Sequence, residues 1–213
     1  MSSRGVLRLA VDVSLTGSLL FLLSYPMTRG LLRHGVVGCC FLALLAAHHA
    51  LNAGWYRALP RGRWHARRAL GAAADAALMA ATLALIASSL AMAGEVFACM
   101  PFPMPWWGRD LHHAATAWVY VLAAFHLGLH GAGVWGALRR AAGRAWPALT
   151  LAALVPCAWA FGESGFLDGM LLTGGPAALP ESPATFLMRL LAAGLLPCLL
   201  ARLAVGSLGG KKG

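Results

Sequence analysis

Long apolar runs alternate with short polar joints along the whole chain. Six runs stand out, at residues 8–26, 33–54, 69–93, 110–136, 147–163 and 185–207. A helix needs about 20 mainly apolar residues to cross the hydrocarbon core of a bilayer. In hydrocarbon no water satisfies the backbone, and no run here alternates as a barrel strand does, so helices are predicted. The expected fold is all-α: a polytopic membrane protein with six transmembrane helices. Pro156 in the short fifth run and Pro197 in the sixth are candidate kinks, and the fifth run is also a candidate re-entrant segment. Trp55, Trp106, Trp107 and Trp146 fall near predicted helix ends, where an aromatic belt belongs.

Composition agrees with this pattern. The chain has 213 residues, 60% hydrophobic and 11% charged, with mean hydropathy +0.70; a soluble domain averages about 25% charged residues. The net charge of +10 would suit nucleic acid. Its distribution argues for membrane lipid instead, because the basic residues lie in the joints between apolar runs. Arg4, Arg8, Arg57, Arg61, Arg63, Arg67, Arg68, Arg139, Arg140, Arg144, Arg202, Lys211 and Lys212 share one side of a six-helix arrangement. Only Arg29, Arg33, Arg109 and Arg189 face the other, beside Glu95, Glu163, Asp168 and Glu181. The positive-inside rule then puts both termini in the cytoplasm of a bacterial inner membrane. Asp12 interrupts the first run and no small-residue cleavage site follows Tyr25, so that run is expected to be a retained helix. Four of the five cysteines (Cys39, Cys40, Cys157 and Cys198, but not Cys99) lie within apolar runs, and there is no CxxC or CxxCH motif. That argues against a disulfide framework, a zinc site and covalent haem attachment.

Histidine at membrane depth is costly and marks function. His65 lies in a basic joint and is expected to be solvated. The others fall on two runs: His34, His48 and His49 on the second; His112, His113, His126 and His130 on the fourth. His34 to His48 and His112 to His126 are each fourteen residues. That spacing returns a helix to within roughly 40° of its starting face and separates the two rings by roughly 21 Å along the axis. Helices separated by one other run in the same direction, so His34 should meet His112 near the outer surface and His48 should meet His126 near the cytoplasmic side. Two facing imidazoles are too few to close a tetrahedral zinc site. They suit the two axial positions of a haem iron, which predicts two bis-His haems b with His34, His48, His112 and His126 as metal ligands.

Neighbouring residues extend the expected cofactor site. Arg33 and Arg109 are candidate propionate partners at the outer end. Gly38, Ala115 and Thr116 are small residues that admit a porphyrin. Asn52 lies one turn beyond His48, and Arg57 or Arg61 could reach the inner propionates. His49 and His113 point about 100° away from the ligand face and are expected to be structural. His130 shares the face of His126. It is a candidate to bond a propionate, to serve a quinone or to replace His126, the last fitting least because His126 gives the symmetric spacing.

Two stretches carry a family resemblance: "HHALNAGWYRALPRGRW", with His48, Asn52, Trp55 and Tyr56, and "RDLHHAATAWVYVLAAFHLGLH", ending in His126 to His130. Over residues 8–137 the chain resembles the flavinylation-associated membrane cytochromes, b-type haem proteins of bacteria and archaea. The His–fourteen–His layout also looks like cytochrome b of quinol-oxidising complexes. The resemblance implies the same four ligands and electron transfer to or from an extracytoplasmic flavoprotein. Ser88-Ser89 departs from the Ser-Gly common in that family.

These readings divide the chain into a four-helix haem-binding bundle, residues 1–140, and two further C-terminal transmembrane helices, residues 141–213. The leading expectation is an electron-transfer subunit of an oxidoreductase complex, linking a quinone pool to an extracytoplasmic redox partner: a flavoprotein, multihaem cytochrome or Fe–S protein. With no nucleotide fingerprint or Fe–S cysteine set, its reactive ends would come from partners, other membrane subunits among them. The aromatic segment "EVFACMPFPMPWWGRD" is a candidate docking surface or quinone rim, or simply an interfacial loop. The alternatives are a haem-containing membrane anchor without its own turnover and, less well supported, a His-lined ion transporter.

Overall fold

The computed structural model describes residues 2–97, 105–173 and 182–209. Cys99, Glu181, Lys211, Lys212 and the centre of the aromatic segment lie outside the described residues. Ten α-helices occur within them: α1 Ser3–Leu23, α2 Tyr25–Thr28, α3 Leu31–Leu51, α4 Ala53–Ala58, α5 Ala66–Ala91, α6 Gly108–His130, α7 Ala132–Ala142, α8 Trp146–Glu163, α9 Phe166–Leu171 and α10 Pro183–Gly209. No strand is found among the described residues. Five stretches are long and apolar enough to cross a membrane: α1, α3, α5, the Ala132–Glu163 stretch of α7 and α8, and α10. The protein is all-helical and membrane-spanning. The fourth run predicted from the sequence, α6, has 23 residues and is not among these five. Its four histidines, Arg109 and Asp110 make it more polar than the other five.

The ends of the helices follow local chemistry. The Ser2 hydroxyl accepts from the Gly5 N–H at the start of α1, an N-cap bond. Arg29, in the left-handed region at φ 42°, closes α2 before Gly30 opens α3. His65, expected to be merely solvated, caps α5: its Nδ1 accepts from the Arg68 N–H at 3.1 Å. The fourth run was expected to continue to residue 136, but α6 stops at His130. A Cβ at Gly131 would come within 2.6 Å of the Leu127 carbonyl oxygen, and the chain turns there into α7. Both α8 and α10 continue through their internal prolines, and α8 is helical throughout its 18 residues.

The chain divides into two compact units. Among the described residues, the first holds those up to Arg63 together with 91–97. Within it α1 and α3 pack antiparallel. Arg8 on α1 donates to the Leu51 carbonyl at the C-terminal end of α3 at 2.7 Å, a favourable place for a cation. Val96 and Phe97 close over Gly35, where a Cβ would collide with Val96.

The second unit holds α5 from Ala66 to Leu90 and everything described from Pro105 onward. Leu129 of α6 and Ala201 and Val205 of α10 form a core with Leu70 and Ala74 of α5 and with Phe125. Trp135, Cys198 and Leu199 form a second, against Trp146, Ala153 and Leu154 of α8. α6 and α10 run parallel, in register from Tyr120 beside Gly194 to Gly128 beside Cys198 and Ala201. Glycine is required at Gly128, because a Cβ there would strike the Cys198 carbonyl. The long fifth joint folds back through α9 onto α6: Phe166 stacks on Tyr120 at 4.6 Å, and the Trp118 indole N–H donates to the Met170 carbonyl at 3.2 Å.

Candidate metal centre

The two predicted histidine pairs each lie on one unbroken helix, His34 and His48 on α3 and His112 and His126 on α6. Those of α3 belong to the first unit and those of α6 to the second. The second histidine of each pair is held by an aspartate. In the first unit, His48 Nδ1 lies 2.7 Å from Asp12 Oδ1. In the second, His126 Nδ1 lies 2.7 Å from Asp75 Oδ1. The units repeat one device: the tenth residue of α1 and the tenth of α5 are both aspartates, and each engages the second histidine of the pair on a long helix that follows.

Asp75 holds a second imidazole. His130 Nε2 lies 3.2 Å from the same Oδ1, and the His126 and His130 rings are 4.5 Å apart. One ligand atom from each of Asp75, His126 and His130 falls within 4.8 Å of the others, so the cluster is able to hold a metal ion. Asp75 is nearly buried, at 11% exposure, and His130 is open, at 44%.

The first histidines have different surroundings. His112 Nδ1 is 3.3 Å from the Ser89 hydroxyl and 3.5 Å from that of Ser88, which is fully buried. Both serines donate their own protons to the Leu85 carbonyl. Their oxygens are therefore acceptors towards His112, and the proton belongs on its Nδ1. His34 meets Tyr25 edge-on, with ring centroids 5.1 Å apart.

Metal-bound imidazoles characteristically donate their second N–H to a carboxylate or another oxygen, which fixes the tautomer and aims the other nitrogen at the metal. His48, His112 and His126 all present this arrangement at Nδ1, and a proton there leaves the ring lone pair on Nε2. The donor set thus fits an iron with imidazole ligands. Over Gly38 a Cβ would meet no atom within 4 Å among the described residues.

The other predicted site residues are placed as follows. Arg33 and Arg109 are exposed, Arg33 immediately before His34 and Arg109 three residues before His112. The Asn52 side chain caps α3 by donating to the His48 carbonyl at 2.9 Å. His49 bonds the Tyr56 hydroxyl at 2.7 Å, a tie between α3 and α4. His113 is exposed.

No protein-family model matches the chain, and no curated protein or solved structure matches it. The resemblance to membrane cytochromes therefore rests on its motif residues. Asp12 and Asp75 were not among the predicted site residues. A signal was there: they are the only carboxylates in the interior of the predicted spans, where an ionisable group is a functional marker.

Proposed function

We propose that the chain is a di-haem cytochrome b of the bacterial cytoplasmic membrane, an electron-transfer subunit between a quinone pool and an extracytoplasmic redox partner. The observation that carries this reading is the Nδ1 bond to an oxygen at His48, His112 and His126. A histidine kept only for helix packing has no need of that common orientation. Bound between paired imidazoles, haem b supplies one-electron transfer with no open coordination position. His34 and His112 would form one ligand pair and His48 and His126 the other, with Arg33 and Arg109 as propionate partners.

Helix directions support six crossings. α1 runs antiparallel to α3, as Arg8–Leu51 and Asp12–His48 require. α5 runs antiparallel to α6, as Ser89–His112 and Asp75–His126 require. α6 and α10 are parallel, with α8 crossing between them in sequence. In this reading α6 is a further span, the fourth of six in chain order, its polar residues accommodated by the cofactor, and the basic joints keep both termini in the cytoplasm.

The Asp75–His126–His130 cluster favours a second reading, a single divalent cation held by two imidazoles and a carboxylate. Reduced-minus-oxidised spectra of the detergent-purified chain distinguish the two. The di-haem reading predicts haem b bands that a quinol analogue reduces. Haem that stays oxidised would indicate an anchor subunit, and stoichiometric zinc binding without haem would indicate the cation site. Ligand pairing has its own test: His34→Ala and His112→Ala should remove the same haem.

A further inference from the structure

Resting on the di-haem reading, we propose that Asp12 and Asp75 are positioning residues that set the electron donation of His48 and His126 and lower the potential of the haem these two histidines would hold in that reading.

The two contacts match in atom, acceptor type and length, although they come from different units: Nδ1 to a carboxylate oxygen at 2.7 Å in each. They also fall at the same place in each histidine pair, the second member. Packing alone does not explain them, because a carboxylate inside a membrane span is costly. Solvent does not impose the geometry either, since the exposures of Asp12 and Asp75 differ widely, at 49% and 11%, while the contact length is the same.

At the other end of α6 the acceptor on His112 is a hydroxyl oxygen, at 3.3 Å from Ser89. A carboxylate bond is charge-assisted and roughly twice as strong as a neutral one. It draws the Nδ1 proton away from the ring and leaves more electron density on Nε2. A more electron-rich imidazole favours ferric over ferrous iron, because hydrogen bonding around the ligands is one of the levers on a haem potential. The two ends of α6 are therefore unequal, His126 carrying the stronger donor and His112 the weaker. His48 carries the same device as His126, so both ligands of one pair act in the same direction. His130 bonds the oxygen that serves His126 and steadies Asp75.

The test is potentiometry of the full-length chain in detergent, with low-temperature electron paramagnetic resonance of the oxidised form. Asp12→Asn and Asp75→Asn should each retain two haems b and each raise the same one of the two midpoints. A tenfold loss of preference for ferric iron would appear as an upward shift of about 59 mV. The resonance signal of that haem should move with it, Asp75→Glu should return both towards wild type, and Ser89→Ala should move the other component. Two intact haems with unmoved midpoints in the Asn variants would overturn the inference and leave the di-haem reading standing. Asn variants that raised different midpoints would also overturn it. Wild-type chain without haem would overturn the di-haem reading itself. If Asp75→Asn fails to fold, Asp12→Asn and Asp75→Glu decide by the same readout.

Discussion

His130 and His126 bond the same oxygen of Asp75, one through Nε2 at 3.2 Å and the other through Nδ1 at 2.7 Å. The two imidazoles thus meet the carboxylate through opposite nitrogens, and the shorter bond belongs to the histidine at the fourteen-residue spacing. This separates their roles. His126 engages the aspartate through Nδ1, as the di-haem reading requires of a ligand, whereas His130 commits its Nε2 to it.

His130→Ala should therefore retain full haem content, while His126→Ala should lose one haem. The cost to stability of His130→Ala should be about 1.5 kcal/mol, the lower end of the range for a hydrogen bond to a charged group, because the ring is exposed. Haem-to-protein ratios and thermal denaturation of the two variants check this.

The seam between α6 and α10 predicts a graded pair of substitutions. At Gly128 a Cβ meets the backbone carbonyl of Cys198, which cannot move away, and at Gly194 it meets the end of the Tyr120 side chain, which can yield. Gly128→Ala should cost about 1–3 kcal/mol, as overpacking does, and more than Gly194→Ala. Thermal unfolding in detergent reads both, and equal stability of Gly128→Ala and wild type would contradict this packing.

Tyr120→Phe removes the hydroxyl that donates to the Leu190 carbonyl. Alone it should cost about 1 kcal/mol. Combined with Gly194→Ala it should cost less than the two single changes together, because the nearest atom obstructing the new methyl group, the Tyr120 hydroxyl, is gone. A double-mutant cycle measures that coupling.

His65→Ala should destabilise α5 by about 1 kcal/mol through loss of its N-terminal cap, and His65→Ser should restore most of it. Amide exchange at the start of α5 is the direct readout.

Much of the helical layout was legible because membrane crossing imposes length and apolarity together. α1, α3, α5, α8 and α10 fall where apolar runs lie. The end of α6 was not legible: Val134 and Trp135 keep the pattern apolar beyond the break, and only the backbone at Gly131 marks it. The docking of α9 was hidden for another reason. Its contacts join Trp118 and Tyr120 to residues far along the chain, and no periodicity records such a contact. The fourteen-residue histidine spacing was visible because it lies within one helix. The aspartate partners were not, since Asp12 is 36 residues from His48 and Asp75 is 51 from His126. Only the cost of an acid at membrane depth pointed to them.

The central claim is that α3 and α6 together hold two haems b. Its most direct test is the pyridine-haemochrome determination of haem b per purified chain. The account predicts two in wild type, and one in each of His34→Ala, His48→Ala, His112→Ala and His126→Ala. A wild-type chain that is folded in detergent and contains no haem b would contradict it.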